Sequence, residues 1–78
     1  MIKKKIRIPK DRFIDRKDKI INAFTGSINT SDGLRITAPD YWIHIRSSRT
    51  EPLIRIIGEA RDKTTIKKYI KKIETILR

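Results

Sequence analysis

In the segment Ile2-Lys3-Lys4-Lys5-Ile6-Arg7-Ile8, the residues Ile2, Ile6 and Ile8 fall on one side of an extended chain, and Lys3, Lys5 and Arg7 fall on the other. This alternation predicts a first strand from Ile2 to Ile8, stopped by Pro9. The period then changes. Phe13, Ile14, Ile20, Ile21 and Phe24 recur at helical spacing, so a helix is expected with Asp11 as its N-cap, Asp15 and Asp18 on its outer side, and its end near Thr25 and Gly26. Ile28 to Thr30 gives a brief extended stretch, Asp32-Gly33 a turn pair that tolerates positive φ, and Leu34 to Thr37 another strand. Ala38-Pro39-Asp40 turns the chain into Tyr41-Trp42-Ile43-His44-Ile45, where Tyr41, Ile43 and Ile45 share one face and Trp42 and His44 the other. Leu53 to Glu59 reads as a last strand. Asp62 is the expected N-cap of a closing helix whose stripe is Ile66, Tyr69, Ile70, Ile73, Ile76 and Leu77.

The order β-α-β(3-4)-α predicts an α+β fold, an antiparallel sheet with two helices packed on one face. Seventy-eight residues leave room for one small domain, 1–78, and exclude a multi-domain enzyme within this chain. Of the 29 apolar residues 17 are Ile and none is Val, so the core is built largely from one β-branched side chain. No apolar run approaches the roughly 20 residues that span a bilayer, so no membrane partner is expected. The absence of Cys excludes disulfides and thiolate chemistry and suggests a cytoplasmic setting, and with one histidine, His44, no metal site is expected.

Charge adds a second function class. Twenty Lys and Arg against nine Asp and Glu give +11, which by itself favours a polyanion. The excess sits at the ends of the chain: residues 1–19 carry +6, 20–52 are neutral and 53–78 carry +5. A free-standing basic module that binds nucleic acid is therefore the alternative reading. The Lys67, Lys68, Lys71 and Lys72 cluster is most simply the wet side of the last helix. Tyr41 and Trp42 point to opposite strand faces, so at most one can serve as a stacking platform, and the other packs in the core. His44 has no carboxylate or nucleophile beside it in sequence and reads as a strand-face residue.

Between the two best-defined strands lies the polar segment Arg46-Ser47-Ser48-Arg49-Thr50-Glu51-Pro52. Two guanidinium groups, three hydroxyls and backbone amides not obviously consumed by a hairpin suit an oxyanion such as phosphate. Pro52 holds Glu51 extended and stiffens the exit, and Glu51 is placed to orient Arg46 or Arg49. From composition alone, a phosphate site and a merely solvated loop both stay open.

That segment, with Leu53-Ile54-Arg55-Ile56-Ile57-Gly58-Glu59-Ala60 after it, resembles the Arg-Pro-Ser-Gly-Thr-Glu-Pro signature and following strand of the α-D-phosphohexomutases. Asp32-Gly33-Leu34, the Trp42 strand and the closing helix fall where the C-terminal, fourth domain of that family has them. The resemblance covers essentially the whole chain. It implies a TATA-binding-protein-like variant of the α+β fold. It further implies a domain of a phosphomannomutase, phosphoglucomutase or phosphoglucosamine mutase, an isomerase of carbohydrate metabolism that interconverts hexose 1-phosphate and hexose 6-phosphate through a bisphosphorylated intermediate. By position, Arg46, Ser48 and Thr50 match the family's contacts to the substrate phosphate, with backbone around Ser47 and Arg49.

The implied partners are a phosphosugar and the other three domains, with nucleic acid disfavoured. The phosphoserine and the Mg²⁺ ligands belong to those other domains, so this chain is expected to hold no catalytic residue, cofactor or metal and to be inactive alone. Two positions depart from the pattern. Ser47 replaces Pro or Ala, and Arg49 replaces Gly or Asn and is expected to point into the phosphate site as a second cation.

Overall fold

The computed structural model describes residues 1–31, 33–48 and 50–78. The elements follow in the order β1 (Ile2–Ile6), α1 (Lys10–Ala23), β2 (Ser27–Asn29), β3 (Leu34–Ala38), β4 (Tyr41–Ser47), β5 (Ile54–Ala60) and α2 (Lys63–Leu77). The strands form one antiparallel sheet in the order β1-β5-β4-β3-β2, so the expected α+β class holds, with four strands between the two helices.

Register explains the core. Ile6 lies opposite Ile54, Ile45 opposite both Leu34 and Ile56, and Ile36 opposite Ile43, and directly paired residues share a sheet face. That face is therefore a wall of branched side chains, all buried. Phe13 and Ile20 of α1 and Ile66, Ile70, Ile73 and Leu77 of α2 complete the same cluster. Each such side chain contributes about 1.5–3 kcal/mol on leaving water. Gly58 lets α2 approach β5 closely, because a Cβ there would stand 2.7 Å from Ile66 Cδ1. At the far end of the sheet the Tyr41 ring packs 4.9 Å from Tyr69 and 6.4 Å from Phe24, and its hydroxyl donates to the Thr25 carbonyl at 2.7 Å.

Local signals held best in α2. Asp62 caps it by accepting the Thr65 N–H at 2.7 Å, a bond that holds its carboxyl below the usual range. Glu74, on the same helix, takes the Lys4 ammonium from β1 at 2.6 Å and Arg78 at 3.3 Å. Chiefly through Lys4, its carboxyl is also held below its ordinary value.

Helix α1 departs from expectation in three ways. It starts at Lys10, so Pro9 occupies the cap position without a side-chain bond, and Asp11 lies inside the first turn, where its charge faces the helix dipole instead. It ends at Ala23, with Phe24 already extended. Ile14 is 59 % exposed, because the helix buries only the narrow line through Phe13 and Ile20; the half-buried Arg16 and Lys17 occupy the intervening positions. Lys17 Nζ lies 5.9 Å from the centre of the Phe13 ring, and the Arg16 and Arg12 guanidinium groups donate to the Ile76 and Arg78 carbonyls at the end of α2. Strand β1 stops at Ile6, two residues earlier than expected, though Ile8 is still buried.

Candidate functional site

The segment from Arg46 to Pro52 is not wholly a loop. Strand β4 runs on through Arg46 and Ser47, which pair with Arg55 and Ile54 of β5. The turn then closes with the Ser48 N–H donating to the Leu53 carbonyl at 2.8 Å and the Leu53 N–H to the Glu51 carbonyl at 2.7 Å. This corrects the expectation of a seven-residue loop with unspent amides: the Ser48 amide is part of the hairpin closure. The ladder extends because β5 offers paired backbone at Ile54 and Arg55 opposite polar residues that gain hydrogen bonds from it.

Ser47 and Ser48 are half-buried, whereas Arg46, Thr50, Glu51 and Pro52 are exposed. The Ser48 hydroxyl approaches the Thr50 hydroxyl at 3.5 Å and accepts from the Thr50 N–H at 3.4 Å, both at the long limit for a hydrogen bond. The turn thus brings Ser48 and Thr50 together. Glu51 enters the turn through its backbone carbonyl. Arg49 and Asp32 lie outside the described residues, and with them the expected placement of the Arg49 guanidinium and the first half of the Asp32-Gly33 turn.

Beside the turn is a cavity of ≈ 190 Å³ lined by Arg46, Ser47, Ser48 and Arg55. Among the described residues its lining offers two guanidinium groups, the Ser48 hydroxyl and the chain at Ser47, with neither carboxylate nor imidazole. Such a set holds an oxyanion by charge-assisted hydrogen bonds. Arg55 was missed as a site residue by sequence reasoning, which placed it only as a strand position. Counting back from the hairpin puts it opposite Arg46, and alternation puts both on the sheet face away from the helices.

Gly33 helps to position Arg46. Its φ is +76°, and a Cβ there would run into the Ile45 carbonyl oxygen and lie 3.4 Å from Arg46 Cα. The backbone leading into β3 thus rests directly against the end of β4.

A larger cavity, ≈ 500 Å³, lies elsewhere, between β1 and α2. Its floor is Ile2 and Ile70, and Glu74, already paired with Lys4, lines it. That carboxylate repels anions, so the smaller cavity at the turn is the better oxyanion site. Among the described residues, no three His, Cys, Asp or Glu side chains come together to hold a metal ion, and no helix is long and apolar enough to cross a membrane.

The decisive comparison is with protein families: the model for the phosphoglucomutase/phosphomannomutase C-terminal domain matches residues 4–76. The chain belongs to this family. It is similar to a phosphoglucosamine mutase of Methanococcus aeolicus, 33 % identical over 75 residues, which cover 91 % of this chain and 17 % of that protein. It is also similar to a phosphoglucosamine/phosphogalactosamine mutase of Sulfurisphaera tokodaii, 36 % identical over 62 residues, 76 % of this chain and 14 % of the relative. A probable phosphoglucosamine mutase of Methanocella arvoryzae is 45 % identical over 51 residues, 65 % of this chain and 12 % of the relative. The chain therefore spans less than a fifth of the length of these curated relatives, and the match is to one domain of longer mutases.

Within this phosphohexomutase domain the other singled-out residues have ordinary roles. Trp42 is half-buried on the open sheet face with the Arg35 guanidinium 5.1 Å from its ring centre, and Tyr41 packs in the core. His44 is a half-buried strand-face residue. Lys67, Lys68, Lys71 and Lys72 are exposed on α2, and Lys72 reaches the Ala23 carbonyl at 3.3 Å.

Proposed function

We propose that this domain holds the phosphate of a hexose phosphate that is not being transferred, within a mutase that interconverts hexose 1-phosphate and hexose 6-phosphate through a bisphosphorylated intermediate. What carries the reading is the cavity lined by Arg46, Ser47, Ser48 and Arg55, in a chain that matches the mutase C-terminal domain from residue 4 to 76. Arg46 and Arg55 supply planar, permanently charged forks, and Ser48 with Thr50 supplies hydroxyl donors at the turn. Arg49 and the backbone around Ser47 join the set by their place in the family motif. Glu51 and Pro52 shape the turn beneath it.

The domain's part in the reaction is to bind and orient. A phosphate anchored at one end of the sugar presents the other end to the phosphoryl-carrying group, which converts part of the binding energy into proximity. The phosphoserine, Mg²⁺ and the residues that select the sugar reside in the other domains, and Mg²⁺ when bound there supplies charge neutralisation for phosphoryl transfer. The phosphosugar and those domains are the partners of this chain, in the cytoplasm.

The test is a titration of the 78-residue chain with inorganic phosphate and glucose 6-phosphate, followed by backbone amide shifts. Weak, saturable binding with the largest changes between residues 46 and 50 and at Arg55 is expected, because one turn gives only part of the contacts that domain closure would complete. Changes confined to Lys67–Lys72 refute the reading. The chain alone is expected to turn over no hexose 1-phosphate in a coupled mutase assay; measurable turnover would refute the division of labour.

A further inference from the structure

On the sheet face that no helix covers, cross-strand register places Arg46, Arg55 and Lys5 side by side on β4, β5 and β1. Lys3 follows two residues along β1, opposite Ile57. All four cations are exposed. Like charges directly opposite one another destabilise a sheet, and here two such pairs share Arg55. Lys4, between Lys3 and Lys5 but on the other face, is paired with Glu74. The carboxylate on the open side of β5 is Glu59, opposite Trp42 and four residues from Arg55.

A second cavity of ≈ 300 Å³ follows this row, lined by Lys3, Lys4, Lys5, Arg55 and Ile57. It shares Arg55 with the cavity at the β4–β5 turn. Arg46 to Lys5 spans two strand spacings, about 10 Å between backbones.

We infer that Lys3, Lys5 and Arg55 form a second anion subsite, continuous with the turn site through Arg55, and that the two together take a ligand with phosphoryl groups in series, such as a nucleoside diphosphate or triphosphate. The inference rests on the phosphate reading of the turn. One phosphoryl group sits at Arg46, Ser47 and Ser48, and the next lies over Arg55 toward Lys5 and Lys3. The ligand thereby offsets the opposition of Lys5 to Arg55 across β1 and β5. A single phosphate of a hexose phosphate fills the first cavity and leaves the second open, so a polyphosphorylated ligand would compete with the sugar at this domain.

Calorimetry and amide shifts on the 78-residue chain at constant ionic strength test this, with inorganic phosphate, tripolyphosphate, ADP and a single-stranded oligothymidine as probes. Tripolyphosphate is expected to bind at least about tenfold more tightly than phosphate, about 1.4 kcal/mol, with shifts at residues 3–5 and 55–57 as well as at the turn. The double variant Lys3→Gln/Lys5→Gln should lose that gain and keep its affinity for phosphate. Lys68→Gln, exposed on α2, should keep the gain, which separates the subsite from general loss of charge. ADP binding like tripolyphosphate places recognition in the phosphates, and tighter ADP binding adds the nucleoside; ADP no better than phosphate rules out the nucleotide class.

If tripolyphosphate binds no better than phosphate while the turn amides respond, the second subsite is refuted and the turn reading stands. If residues 3–5 and 55 respond and the turn is silent, the turn reading fails, and the proposed continuity fails with it. Oligothymidine binding tighter than tripolyphosphate, with shifts reaching Arg35 and Trp42, would replace the small-ligand subsite by a nucleic-acid platform across the open face.

Discussion

Substituting Arg55 by Gln separates binding from stability, because the register gives this guanidinium opposite effects on the two. In the folded domain Arg55 lies between Arg46 and Lys5 on neighbouring strands, on the exposed face. Two unit charges about 6 Å apart in water-like surroundings repel by about 0.7 kcal/mol, so two neighbours cost about 1.4 kcal/mol before salt screening and side-chain reorientation reduce it. Gln keeps most of the stem and removes the charge. Arg55→Gln should therefore be stabilised by about 0.5–1 kcal/mol, which raises Tm by a few degrees in a domain of this size. Phosphate binding should weaken, since a charged hydrogen bond is worth about 1.5–3 kcal/mol, or about 10- to 150-fold in Kd. Scanning calorimetry at low and at 0.5 M salt together with phosphate titration reads both, and the stability gain should shrink at the higher salt. A variant that melts several degrees lower and binds phosphate as tightly as the parent would refute both the like-charge argument and the place of Arg55 in the site.

Three other outcomes follow from the geometry. Gly33→Ala should destabilise by about 2 kcal/mol or more, since the positive φ alone costs about 1–2 kcal/mol for a residue with Cβ and the Ile45 carbonyl blocks the methyl; unchanged thermal stability would show that the backbone there relaxes freely. Because the Glu74 carboxyl is held below its ordinary value of 4.5 in the folded state, its contribution is present above that value and is lost as pH falls through the lowered one; Glu74→Gln should therefore flatten the acid limb of a Tm-against-pH curve, and an unaltered limb would remove the Lys4 pair from the account. Asp62→Ala should cost about 1 kcal/mol by circular-dichroism melting through loss of the α2 cap, with Asp62→Asn recovering most of it, and no difference between the two variants would discount the side-chain cap.

Where the physics is local, the sequence by itself determined the outcome. The stripe from Ile66 to Leu77 and its Asp62 cap define α2, and alternation from Tyr41 to Ile45 defines both the strand and its buried face, because each rests on contacts within a few residues. The family, too, was readable in the run from Arg46 to Ala60. Other features needed the tertiary structure. Asp11 looked like a cap and is not one, because the extended Pro9 starts the helix two residues earlier; Ile14 looked like core and faces out, because α1 buries a narrower line than its apolar residues suggest. Arg46 and Ser47 read as loop, yet β5 supplies the ladder that draws them into β4. Above all, nothing near Lys5 or Arg55 in the sequence announces that they stand in one row with Arg46. Register sums the pairing and burial of whole strands far apart along the chain, so it decides at once which cations meet, on which face and around which cavity.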